Sequence, residues 1–325
     1  MKKIVIVGGV AGGMSAATRL RRLDEMAEII ILEKGPYVSF ANCGLPYHIS
    51  GEIAERDDLI VQSSEALSAR FQLDIRTESE ALSIDRDRKT VRVGGRDGEY
   101  ELEYDALILS PGARPFVPPI EGLSELKHVF TVRNIPDVDR IKTFIENEQP
   151  QKAAVIGAGF IGLEMAESLR HLGMDVSVIE MAPHVLPPLD REMAAFAENE
   201  LERHGIDVIT GASAERFDHH TIHLSNGQTL DADLVILSVG VTPESSLAKN
   251  AGLELGMRGG IVVDEHYRTS DPDIYAIGDA IIVKHFITGE DTMIALANPA
   301  NRQGRQVADV IMGIDRKNQG SLGTS

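Results

Sequence analysis

One sulfur and two glycine-rich turns carry the chemistry available to this sequence. Cys43 is the only cysteine among 325 residues. With no internal partner, its redox forms are a thiolate, a sulfenic acid, a persulfide or a mixed disulfide with an outside thiol. Gly157-Ala158-Gly159-Phe160-Ile161-Gly162 is a complete Gly-x-Gly-x-x-Gly turn, and Glu180 follows 18 residues after Gly162. In such a turn the backbone amides and helix N-terminus meet a pyrophosphate, and the acid accepts a bond from a ribose hydroxyl. Gly8-Gly9-Val10-Ala11-Gly12-Gly13 is an incomplete copy, with Val10 at the middle position and Glu33 lying 20 residues beyond Gly13. One copy alone is weak evidence. Two copies, each with its acid, point to two dinucleotides that exchange electrons.

The flanking segments supply the scaffold these turns need. Residues 3–7 are a β-branched run suited to a strand buried on both faces, followed by a helix over 14–23 and a strand over 28–33. The layout returns with a strand at 152–156, a helix at 163–173 and a strand at 175–180. Residues 78–103 alternate polar and apolar around a Gly94-Gly95 turn and read as antiparallel strands. Further buried strands end at Ser110-Pro111-Gly112, at Gly240 and at Gly278-Asp279. The proline-rich stretch 114–119 reads as a domain crossing, and a last helix is expected from Asn298, as N-cap, to about 312. The fold class is α/β with two Rossmann-like dinucleotide-binding domains.

Composition limits the partners. The net charge of −18 argues against nucleic acid or an anionic membrane as the main partner. A single cysteine excludes a disulfide-stapled secreted fold, and no apolar run approaches the ~18 residues that span a bilayer. The chain reads as cytoplasmic and soluble. Its histidines show no metal-ligand spacing, so no metal is expected. Met181 follows Glu180 with no adjacent arginine, a pairing that favours NADH over NADPH.

The order of these motifs, through Val239-Gly240-Val241-Thr242-Pro243 and Ile274-Tyr275-Ala276-Ile277-Gly278-Asp279, resembles the FAD-dependent pyridine nucleotide–disulfide oxidoreductases over essentially the whole chain. Around Cys43, Ser39-Phe40-Ala41-Asn42-Cys43-Gly44-Leu45-Pro46-Tyr47 is similar to the single-cysteine branch, the coenzyme A-disulfide reductases and NADH-dependent persulfide reductases. The resemblance implies FAD at Gly8, Val10, Ala11, Gly13, Glu33, Lys34, Ser110, Pro111, Gly112, Gly278, Asp279 and Ala297. It implies NAD(P)H at Gly157, Gly159, Phe160, Ile161, Gly162, Glu164, Glu180 and Gly240. Phe160 would be an aromatic gate over the flavin, and Glu164 the acid near the nicotinamide. Ser15, Arg19, Arg22, Ser39 and Asn42 would contact a coenzyme A substrate, with Cys43 catalytic. An FAD domain over 1–114 and 244–325 would hold an inserted NAD(P)H domain over 115–243. Members of the family continue into a dimer-forming domain, absent from this chain, so a homodimer is implied for the full-length form.

Two other readings stand beside this one. NADH oxidases and peroxidases cycle through a cysteine sulfenic acid, but the peroxidases carry a histidine where this sequence has Ala11. The non-catalytic reading is a flavin-containing redox sensor or electron-transfer partner.

Overall fold

The computed structural model describes residues 1–323. The last two residues of the expected segment 244–325 lie outside the described residues. The α-helices are α1 (Ala11–Leu23), α2 (Leu45–Ser50), α3 (Ser64–Phe71), α4 (Ile135–Glu148), α5 (Phe160–His171), α6 (Arg191–Arg203), α7 (Ser246–Asn250) and α8 (Ala297–Ile311). None is long and apolar enough to cross a membrane. The chain forms two compact units. One comprises Met1–Phe40, Ile60–Arg114 and the chain from Thr242 onward; the other comprises Ala41–Leu59 and Pro115–Val241.

The grouping differs from the expected domains at one place that matters. Residues 41–59 were assigned by sequence order to the first domain, yet they pack with the second unit. The cause is α2, which buries Leu45, Pro46, His48 and Ile49 and lies against α4 and α5. Burial of Leu45, Pro46 and Ile49 outweighs chain proximity.

The first unit is built on a five-stranded parallel sheet in the order Ile274–Ala276, Ala106–Leu109, Lys3–Val7, Glu28–Leu32, Asp74–Arg76. Val5 lies opposite both Ile30 and Leu107, and all three are fully buried. Strands covered on both faces need such unbroken apolar runs. An antiparallel sheet of Glu80–Asp85, Thr90–Gly95 and Gly98–Glu103 completes it. Gly94 and Gly95 are not the turn expected of them. They stay in the ladder, Gly95 pairs with Gly98, and the reversal falls on Arg96-Asp97, with Gly98 at φ +117°.

Three helix starts also differ from expectation, α5 among them, which begins at Phe160 and not at residue 163. α1 begins at Ala11, not residue 14, because Gly12 and Gly13 are helical and serve close packing. A Cβ on Gly304 of α8 would collide with the Gly12 carbonyl, so the two helices cross at backbone contact. α8 begins at Ala297 with Leu296 as N-cap; Asn298 lies inside the first turn and caps nothing. Pro299 fits in that turn because its missing N–H has no helical acceptor there.

The second unit repeats the plan. Its parallel sheet runs Ile206–Thr210, Asp175–Glu180, Lys152–Ile156, Leu234–Leu237, Val129–Phe130, beside an antiparallel sheet of Ala214–Asp218, Thr221–Leu224 and Thr229–Asp231. The repetition extends to single side chains. Arg21 near the end of α1 donates to the carbonyls of Phe71 at 2.9 Å, Ala27 at 2.8 Å and Glu25 at 2.8 Å. Arg170, at the matching place in α5, donates to the carbonyls of His204 at 2.9 Å and Met174 at 3.0 Å. Each arginine satisfies carbonyls that loop geometry leaves without strand partners.

Candidate functional site

The two glycine turns share one construction. Gly8 and Gly157 have φ of +101° and +103°, a region open to glycine at little cost. A Cβ on Gly8 would strike the Ser110 carbonyl, and one on Gly157 the Ser238 carbonyl. Gly13 and Gly162 press against the carbonyls of Gly8 and Gly157 in turn, again leaving no room for a side chain. Ser110 N donates to Val7 O and Ser238 N to Ile156 O, both at 2.8 Å, which locks each return strand to its turn.

The acids that end the second strands do matching work. Glu33 accepts from Gly9 N and Gly35 N, both at 2.8 Å. Glu180 accepts from Ala158 N at 2.7 Å and Ala182 N at 2.8 Å. A carboxylate oxygen can accept more than one hydrogen bond, so Glu180 can also accept from a ribose hydroxyl. The sequence pattern indicated the ribose role; the bracing of the turn backbone was not legible from it.

The turns differ in the middle. A Cβ on Gly159 would meet no atom within 4 Å, whereas Val10 is half-buried. Neither α1 nor α5 has a capping side chain, in contrast to α3, capped by Ser63, and α4, capped by Asn134. Amides at the starts of α1 and α5 thus remain available to a ligand's acceptor oxygens. The cramped outer glycines, open Gly159 and uncapped helices fit dinucleotides in both units. Phe160 and Ile161, 55% and 44% exposed, open α5 directly after Gly159. Gly240 has φ +111° and open space around it.

The remaining residues expected at the first dinucleotide are spread over the same unit. Val10 is the N-cap of α1 and Ala11 its first residue. Lys34 is exposed and pairs with Glu80 at 2.9 Å. Pro111 and Gly112 follow Ser110, and Gly112 O accepts from Glu244 N at 3.0 Å. Gly278 N donates to Gln303 Oε1 at 2.7 Å, Asp279 beside it is half-buried, and Ala297 opens the uncapped α8.

Cys43 is exposed in the short 3-10 turn Asn42–Gly44 that leads into α2. Gly44 N closes this turn on Ala41 O at 3.0 Å. The surroundings are acidic. Burial, then the charges of Glu164, Glu167, Glu52 and Cys43, push the Tyr47 phenol above its ordinary value. Burial and then Glu167 push the Glu164 carboxyl up. Tyr47, Glu52 and Glu167 were not singled out from sequence. The available signals were spacing alone: Tyr47 is one helical turn past Cys43, and Glu167 three residues past Glu164.

The five residues expected at coenzyme A divide between the two units. Ser15, Arg19, Arg22 and Ser39 lie in the first unit and Asn42 in the second. Ser15 Oγ donates to Asn301 Oδ1 at 2.7 Å. Arg19 Nε donates to Asp309 Oδ1 at 2.8 Å, and Arg316 Nε to Asp309 Oδ2 at 3.1 Å. Asp309 is only 5% exposed, and a buried carboxylate requires such cations. Arg22 is exposed, with its guanidinium 5.4 Å from the Phe71 ring centre. Ser39 takes φ +48° and its N–H donates to Gly9 O at 3.0 Å. Asn42 Nδ2 donates to Arg133 O at 3.4 Å.

Known proteins share this architecture. The reduced CoADR-RHD structure of Bacillus anthracis superposes with a TM-score of 0.98 at 52% identity, covering 100% of this chain and 59% of that one. An NADH oxidase of Methanocaldococcus jannaschii is 39% identical over 97% of this chain and 71% of its own length. A coenzyme A disulfide reductase of Staphylococcus epidermidis is 35% identical over 96% of this chain and 71% of its own. The family model described as pyridine nucleotide-disulphide oxidoreductase matches residues 2–304. With both turns, both sheets and that match in agreement, the chain belongs to the pyridine nucleotide-disulphide oxidoreductase family.

Proposed function

We propose that this chain is the catalytic portion of a flavoprotein that passes electrons from NADH to a disulfide or persulfide of coenzyme A through Cys43. The observation that carries this reading is one exposed cysteine in a chain with two uncapped glycine-turn scaffolds, each braced by its acid. The first turn, Glu33, Ser110 to Gly112, Gly278, Asp279 and Ala297 would hold FAD. The second turn, Glu164, Glu180 and Gly240 would hold NADH. FAD, when bound, would supply the two-electron chemistry that links NADH oxidation to reduction of sulfur.

The chain's own steps begin at Cys43. Its thiolate attacks one sulfur of the substrate disulfide, forming a Cys43–S bond as the substrate S–S bond breaks and one thiolate departs. Two electrons then cleave the mixed disulfide, restoring the Cys43 thiolate and releasing the second thiolate, which takes a proton from water or a nearby acid. Tyr47, whose phenol keeps its proton through burial and then the charges of nearby acids, can donate a hydrogen bond to a departing thiolate. Arg22, exposed and without an ion pair among the described residues, suits a coenzyme A phosphate.

Replacing Cys43 with serine tests the proposal. The NADH consumption driven by coenzyme A disulfide should fall at least 100-fold, while NADH binding is retained. Unchanged turnover would sink it. The NADH oxidase reading has the M. jannaschii relative in its favour and Ala11 against it. Rapid oxygen uptake without disulfide would establish that reading instead. A cytoplasmic location, where thiols stay reduced, and a homodimeric full-length form belong to the same proposal. Fractionation and mass in solution check them.

A further inference from the structure

The Cys43-bearing excursion leaves the first unit and comes back at nearly the same point. Ala41 N donates to Leu59 O at 2.8 Å, and Phe40 bridges Ile60 just outside. Between those ends the segment is held by α4. Arg56 grips Asp139 with a two-pronged bond, Nε to Oδ1 at 2.8 Å and a terminal nitrogen to Oδ2 at 2.7 Å. Lys142, one turn further along α4, donates from Nζ to the His48 carbonyl at 3.0 Å. His48 is buried, and its Nδ1 lies 2.7 Å from Ile53 O, which closes the loop after α2. The start of α4 is itself fixed, because Asn134 and Asp137 cap it reciprocally and Asp137 also accepts from Arg133 N at 2.9 Å.

We infer that Arg56 and Asp139 are positioning residues for Cys43: their forked ion pair fastens the redox segment to α4, so the sulfur is carried by the pyridine-nucleotide unit. The inference rests on the reading of Cys43 as the redox centre, but its geometry does not. A fork defines orientation as well as distance, which a lysine in place of Arg56 cannot do. Bonds to Arg56 hold the Asp139 carboxyl below its usual range, so the pair persists into acid.

The test uses the purified full chain and two readouts. The first is the alkylation rate of Cys43 by a maleimide, followed by mass of the cysteine peptide. Arg56→Lys and Asp139→Asn should each change that rate at least threefold, with the melting temperature and nucleotide binding little changed. The exchange pair Arg56→Asp with Asp139→Arg should bring the rate back towards the parent value. The second readout is steady state: the variants should lower kcat with coenzyme A disulfide and leave KM for NADH alone. Alkylation at the parent rate in both single variants overturns the inference, as does failure of the exchanged pair to restore it while the protein stays folded. Loss of the functional reading looks different: Cys43→Ser would leave turnover intact while the alkylation differences remain.

Discussion

The two glycine turns are the same device built twice, and the difference that bears on a ligand lies at the middle position. Both use a positive-φ glycine against a serine carbonyl and a last glycine against the first. Both are braced by an acid that binds the second residue of the turn. The second turn leaves its middle position open at Gly159, while the first fills it with Val10. The outer glycines therefore answer to the protein's own backbone. The middle one answers only to whatever binds, so a pattern match there speaks about ligand approach and not about folding.

Substitutions can break or sharpen this contrast. The largest effect is expected from Gly8→Ala or Gly157→Ala, each forcing a side chain into a carbonyl. Either should cost about 2–3 kcal/mol or more in denaturant unfolding and abolish binding at its own turn. Equal stability of either variant and the parent would refute the shared construction. The matched arginines come next. Arg21→Ala should cost about 2–3 kcal/mol and Arg170→Ala about 1–2 kcal/mol, because Arg21 serves more carbonyls. The reverse order would show that burial, not bond number, sets the cost. Gly159→Val copies the first turn into the second. Unfolding should shift by no more than about 0.5 kcal/mol, while NADH affinity drops roughly tenfold, about 1.4 kcal/mol. Val10→Gly should leave FAD retention nearly untouched.

The smallest effect concerns Glu164. Its folded carboxyl titrates above the unfolded value, so burial favours the protonated form. Stability from that form is complete below the unfolded pKa and is lost as pH rises through the folded one. Glu164→Gln should therefore be stabilised relative to the parent at pH 7 and equal to it near pH 3. A difference that is constant across that range would remove the titration as its cause.

The turns, their strands and their acids were legible because local sterics write them into the sequence: only glycine fits at Gly13 or Gly162, and only apolar runs fit between helices. The placement of residues 41–59 was not legible, since it depends on α2 meeting α4 and α5, far away in the chain. Arg19 and Arg22 were read as a pair on one helical face. Spacing alone could not reveal that Asp309, nearly 300 residues on, claims the first of them. The start of α8 was misplaced for a related reason: Asn298 is a good cap by type, but Leu296 has the extended backbone that a cap position requires.

Phe40 and Ile60 bridge each other at the base of the segment 41–59, so the first unit closes across its own break in the chain. The insert can be exchanged like a tool in a chuck, bringing one thiol, two or none, while the nucleotide scaffold beneath keeps its register. A chain in which 41–59 is replaced by a short glycine-serine link should still fold its first unit and retain FAD.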